Sequence, residues 1–434
     1  MQNTNVRAQP VGTFAFPAGL LLIDDHPGSE AVAAARASLL EGRLPRPWPD
    51  ELHGHRLAHE GQPAAAAAHF LGHASTDPIS AFNHYVLEPD GVDVAAVRAR
   101  LPDHLKVLVD AVQYSLGDTD EVPVATSEAV EVTAFVASVR ATAALSAGNP
   151  AGAVEMIHDA AGAVADLAPA FAAILLGNAG TILHEHGLDP ATAYDDLRLA
   201  CMGLTDPDLP VARAELLLQL GLLIPAAAVD GQRSLKDAVH EYYSALQLID
   251  RDTAPYTWAS AHLNLGAAYL TMPMLEATDQ LRSGIAMQSL RAALDVFDRD
   301  EYPAEWASAT LNLANALVYT PSTHQGDNIV EAVERYEEVL VTRSRETDPL
   351  GRARILANLG NALAHLGIFD HAKSRLFEAR YLFEEALDHE SVMMVRTILD
   401  EVSRETVPNS GRVTHALPAR IPVPATDGTE GVGA

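Results

Sequence analysis

The chain has 434 residues, enough for two or three ordinary domains or one long array of repeats. Hydrophobic residues make up 48% and aromatics only 6%, and much of the apolar share is alanine, the best helix former, so the expected fold is all-α. A formal net charge of -29 argues against nucleic acid or an anionic membrane as partner, because phosphate binding needs a basic surface.

In chain order, the first twelve residues or so are expected to be unstructured. The apolar stretch "FAFPAGLLLI" (Phe14 to Ile23) has only Arg7 before it, is broken by Pro17 and ends in Asp24 and Asp25. It lacks the small-residue pattern of a cleaved leader and is too short to cross a bilayer. A soluble, cytoplasmic protein is the expectation, and the one cysteine, Cys201, fits a reducing compartment. "LLLIDDHPGSEAVAAARASLLEG" looks like the opening of a response-regulator receiver: a strand, two acidic residues, a helix. No second strand follows Gly42, so residues 1–46 are taken as a partly disordered segment that caps what comes after.

Residues 47–132 read as a helical region with one hairpin near its start. In "ELHGHRLAHEGQPAAAAAHFLGH", Pro63 opens the second helix. His55 and His59 share a helix face at spacing i, i+4, and His69 lies across the turn, so these three are the weak candidates for a metal site. Beyond them, "DVAAVRARL" and "HLKVLVDAVQYSL" have helical periodicity and are parted by Pro102.

Residues 133–390 repeat themselves. "TWASAHLNLGAAYLTMP" (Thr257 to Pro273) returns as "EWASATLNLANALVYTP" (Glu305 to Pro321) at an offset of 48. Anchors at Asn178, Gln219, Asn264, Asn312 and Asn358 lie 41, 45, 48 and 46 residues apart. The last copy pairs "RARILANLGNALAHLG" with "FDHAKSRLFEARYLFEEAL". Small residues at Gly360, Ala372 and Ala379 let two antiparallel helices touch, Leu363 and Leu376 fill between them, and Gly367 ends the first helix. Gly148, Ala153, Ile157 and Ala160 fit the same frame, as do Gly54, Leu57, Gly61, Ala66 and Phe70. The copy with Gly180, Leu183 and Gly187 fits in its first helix, but its second drifts by one residue. Residues 391–434 are taken as the end of the last helix and a disordered, proline-rich tail.

This spacing resembles the tetratricopeptide repeat (TPR) family, with longer turns that lift the period above the usual ~34 residues. The resemblance implies a right-handed superhelical solenoid of TPR-like helical hairpins, about six in the array. It also implies a concave groove, lined by first helices, that binds a protein or peptide partner. Asn178, Asn264, Asn312 and Asn358 occupy the frame position from which asparagines of that family hold a ligand backbone; the alternative is that they bond to the neighbouring hairpin and hold the stack together. Asn315, Asn361 and Arg354 are expected to face the same groove. The lysines that clamp a terminal carboxylate in co-chaperone TPR domains are replaced by residues such as Ser260, Leu263, Ser308 and Leu311, so that activity is not carried over.

No phosphate-binding loop, dinucleotide fingerprint, nucleophile elbow or H-E-x-x-H motif occurs, so no catalytic residue, cofactor or enzymatic role is assigned. The expectation is a scaffold or adaptor for assembly or regulation of a larger complex. A sensor of a peptide or small effector is the alternative, and a metal-handling or enzymatic accessory protein the third reading.

Overall fold

The structure, a computed structural model, describes residues 7–8, 21–23, 29–124, 129–204, 208–227, 235–272 and 279–405. It divides into two compact units, residues 1–234 and 235–434. The repeat anchored at Gln219 is split between them.

In the first unit, two short strands, β1 (Arg7–Ala8) and β2 (Leu22–Ile23), pair antiparallel. Then come α1 (Glu30–Leu40), α2 (His53–His59), α3 (Pro63–His73), α4 (Pro78–Leu87), α5 (Val94–Arg100) and α6 (Lys106–Leu116). The unit continues with α7 (Val130–Ser146), α8 (Pro150–Val164), α9 (Pro169–Glu185), α10 (Pro190–Gly203) and α11 (Pro210–Ala227). From α2 onward each helix packs on the next. The stretch after α1 also returns to the far end of the unit: the Leu44 amide donates to Asp208 Oδ2 at 2.8 Å, and Arg46 pairs with the same carboxylate. The N-terminal segment was expected to be partly unstructured. Within it, Arg7–Ala8 is a strand and Leu21, Leu22 and Ile23 are fully buried. The rest of the first twelve residues and the Asp24-Asp25 pair lie outside the described residues.

The second unit holds α12 (Leu235–Leu246), α13 (Pro255–Thr271), α14 (Asp279–Leu294), α15 (Pro303–Tyr319), α16 (Gln325–Leu340), α17 (Pro349–His365), α18 (Phe369–Glu385) and α19 (His389–Glu405). Neighbours again pack in order. In addition α13 meets α15, α15 meets α17, and α17 meets α19, so the first helices of successive hairpins lie side by side. One core runs through them, with Phe297, Leu313, Tyr336, Leu359, Leu376, Phe383 and Val395 among its members. Residues 391–405 are not a helix end. They belong to α19, a separate helix that buries Val392, Val395, Ile398, Leu399 and Val402. Residues 406–434, the expected disordered tail, lie outside the described residues.

The hairpin contact is as the sequence implies. A Cβ on Gly360 would stand 2.7 Å from Leu376 Cγ, closer than real packing allows, and 3.1 Å from the Ala372 carbonyl oxygen, a tight contact. Gly266 faces Leu290 and Ala286 in the same way. Gly180 faces Leu197 and the Ala193 carbonyl, one residue beyond the regular frame, which is the drift read from the sequence. Gly367 turns at φ +73, and Gly61, Gly148 and Gly187 take the same left-handed region at the matching turns. The architecture is an all-α solenoid of TPR-like hairpins.

Solenoid contacts are mainly local. Ala372 is fully buried, so Ala372→Leu is expected to cost roughly 1–3 kcal/mol by overpacking α17 against α18. Hydrogen exchange should rise in α17, α18 and α19 and stay unchanged at residues 141–160. Equal loosening at both places would contradict the stacked architecture.

Candidate functional site

The predicted groove residues divide into two groups by exposure. Asn178, on α9 of the first unit, is exposed. Asn264, on α13, is half-buried, and its Nδ2 donates to the Ser260 carbonyl one turn back at 2.9 Å. Arg354, on α17, is half-buried beside the start of α19. There the Ser391 backbone N–H, its hydroxyl and then the Arg354 charge hold the Asp388 carboxyl below the usual range.

The other four asparagines are interior. Asn312 is 7% exposed, Asn315 1%, Asn358 2% and Asn361 1%. Asn315 Oδ1 accepts from Tyr336 Oη at 2.7 Å and from Asn358 Nδ2 at 3.3 Å. Asn361 Nδ2 donates to Tyr319 Oη at 2.8 Å. These bonds tie α15 to its own partner α16 and to the next first helix, α17. The spacing i, i+3 puts 312/315 and 358/361 on one helix face each, and side-by-side packing of first helices closes that face. An open row of amides at these positions is therefore not what the structure has. Asn315 Nδ2 and Asn361 Oδ1 are buried without a hydrogen-bond partner among the described residues.

The histidines also separate. His55 is buried and donates from Nε2 to the Leu22 carbonyl at 2.9 Å, with its ring edge-on to Phe70. The acceptor is a carbonyl, so Nε2 carries the hydrogen. His69 stands instead between His53 and His73, with ring centroids 5.1 and 4.9 Å away. His59 packs on Trp48. Burial, then the nearby His55 charge, lowers its pKa to about 4, with Asp208 pulling the other way. Among the described residues no group of three or more His, Cys, Asp or Glu is placed to hold a metal ion. One further pair, the half-buried His158 with the buried Asp196 (Nε2 to Oδ2 2.7 Å), ties α8 to α10, and burial raises the Asp196 carboxyl above its usual range.

A surface that sequence reasoning missed lies on α18. Phe377 and Tyr381, one turn apart, are 49% and 50% exposed. Arg380 lies over the Phe377 ring at 5.2 Å and Arg345 over the Tyr381 ring at 5.0 Å. Both guanidinium groups are also paired, Arg380 with Glu384 and Arg345 with Glu385. Both aromatics lie off the repeat frame, so matching copies to one another passes over them.

No family model and no curated protein matches the chain. Among solved structures it is similar to PilF of Pseudomonas aeruginosa, at 16% identity, over 64% of this chain and all of that one, with a TM-score of 0.43. A likeness at this level adds nothing to the fold read from the helices themselves. No helix among the described residues is long and apolar enough to cross a membrane.

Two measurements follow from this geometry. Asn315→Ala strips a buried bond from Tyr336 and another from Asn358, and should cost roughly 1–3 kcal/mol in a urea titration. Asn178→Ala, at an exposed position, should stay within about 0.5 kcal/mol of wild type. The second concerns pH. His59 has a folded pKa of about 4 against 6.5 for the free side chain, so the unfolded chain takes up the proton first. Its contribution to stability is intact above about pH 6.5 and is lost as the pH falls toward 4, at up to about 1 kcal/mol per pH unit. His59→Gln should flatten the urea midpoint across that window. An unchanged slope would show that His59 is not the group responsible.

Proposed function

We propose that the chain is a protein-interaction scaffold that binds a partner protein or peptide, as stacks of TPR-like hairpins are suited to do. The observation that carries this reading is the aromatic pair on α18. Phe377 and Tyr381 expose large, stiff rings at low entropic cost, and each is held under a guanidinium. Aromatic residues and arginine are the types that dominate interface energetics. Asn264 and Arg354, still reachable on first helices, supply polar contacts for a chain lying along α13 to α17. The net charge of -29 favours a partner with basic residues at its rim.

The test is affinity purification with the full-length chain as bait in its native host, followed by mass spectrometry. Wild type is compared with Phe377→Ser/Tyr381→Ser and with Asn264→Ala/Arg354→Ala. All three are expected to melt within a degree or two of one another, since the changed residues are exposed or half-exposed. The α18 pair should lower recovery of the partner by about tenfold or more. Undiminished recovery by both variants, with unchanged melting, rejects both surfaces.

A further inference from the structure

The residues that hold Leu22 in the first unit do to this chain what a peptide-binding site does to a ligand. Asn83, 1% exposed on α4, takes both backbone groups of Leu22 with one amide: its Oδ1 accepts from the Leu22 N–H at 2.8 Å, and its Nδ2 donates to the Leu22 carbonyl at 2.8 Å. His55 Nε2 supplies a second hydrogen bond to that carbonyl at 2.9 Å. One N–H and both carbonyl lone pairs are thereby satisfied, with no main-chain partner used. A primary amide has the donor and acceptor of a peptide unit, so Asn83 stands in for a neighbouring strand. The opposite edge of the segment is free to pair, and β1 takes it, with Ala8 opposite Leu22 and Arg7 opposite Ile23. On the receptor side the extended backbone is thus held by side chains of α2 and α4 alone.

The three side chains are aliphatic and buried. Leu21 and Leu22 are 0% exposed and Ile23 1%. Ile23 packs with Val32, Ala35, Leu39 and Leu52, with Leu44 and Trp48 at the rim. The hydrogen bonds read backbone, and the burial of all three side chains selects for aliphatic bulk. The ligand class is therefore an extended peptide with large aliphatic residues at successive positions.

We propose that Asn83 and His55 form a peptide-backbone binding site that the chain's own Leu21–Ile23 segment fills in cis, and that accepts an extended aliphatic peptide of a partner in trans when that segment is displaced. Tethering gives the segment an effective concentration of about millimolar, so a free peptide competes poorly until the tether is cut or the segment drawn away. The site is built from residues of the first unit and the α18 surface from residues of the second, so either can fail alone.

The experiment uses the full chain with a protease recognition sequence placed between residues 24 and 28, which leaves the amino-terminal piece held by its contacts alone after cleavage. A fluorescent peptide, GLLLIDD, is titrated into nicked and intact chain and followed by anisotropy. The nicked chain is expected to bind it saturably and release its own piece, and the intact chain to bind about tenfold or more weakly. Asn83→Ala in the nicked chain should weaken binding by about tenfold, as should methylation of the peptide nitrogen at the position of Leu22, since each removes hydrogen bonds from buried groups. Equal binding of the methylated peptide would reduce the site to aliphatic burial and overturn the proposal. So would loss of helicity once the piece departs, or a nicked chain that keeps its fold and never binds the peptide. A dimer of the intact chain with exchanged segments would overturn the assignment to a foreign peptide.

Discussion

Everything in the second unit depends on how closely two antiparallel helices approach at a small residue. With hydrogen at Gly360, Leu376 sits where a methyl group would clash, and the α17–α18 pair closes. A hairpin that tight buries one face of each helix and leaves the other uncovered. It cannot cover that second face alone, so the next hairpin must. That requirement sets α13 beside α15 and α15 beside α17. The row of first helices then closes over 312, 315, 358 and 361, and amides that could have met a ligand meet Tyr336, Tyr319 and each other. The polar chemistry of the array is spent on holding its register, at positions where an unmatched group is expensive.

The hairpin frame was legible because its rules are local. A turn glycine, a small residue on each facing helix and a large apolar residue one turn on are all set by one contact, so even the one-residue drift at Gly180 could be read. The choice between ligand contact and hairpin bridging for the asparagines was not legible. Sequence spacing says that Asn312 and Asn315 share a face, but what covers that face depends on a neighbour some 45 residues away. Leu21–Ile23 poses the same problem at longer range, because its partner Asn83 lies 61 residues on. α19 was missed because its amphipathic pattern runs straight out of α18 after a turn with no glycine, at Leu387, which takes φ 60. A second repeat signal was present and passed over. Asp250 and Asp298 accept two backbone N–H groups each at the turn before a first helix, and Ser344 does the same. Matching by identity loses the Asp-to-Ser change, whereas the requirement for an acceptor, followed within five residues by Pro255, Pro303 or Pro349, does not.

With the interior amides committed to structure, recognition falls to what remains outside. On α18 this is mainly aromatic area. Arg345 and Arg380 lie over the rings, yet each already pairs with a carboxylate, Glu385 and Glu384. The stacked cations therefore act more as stiffeners of Tyr381 and Phe377 than as charges offered to a partner. The acidity of the chain works elsewhere and at longer range. Under the proposed function, its field would draw a basic partner in, and it fades over about 8 Å at physiological salt. Encounter and retention thus have separate origins in this molecule. Under the proposed function, a basic rim on the partner would raise the rate of arrival, whereas burial of Phe377 and Tyr381 would set how long the partner stays.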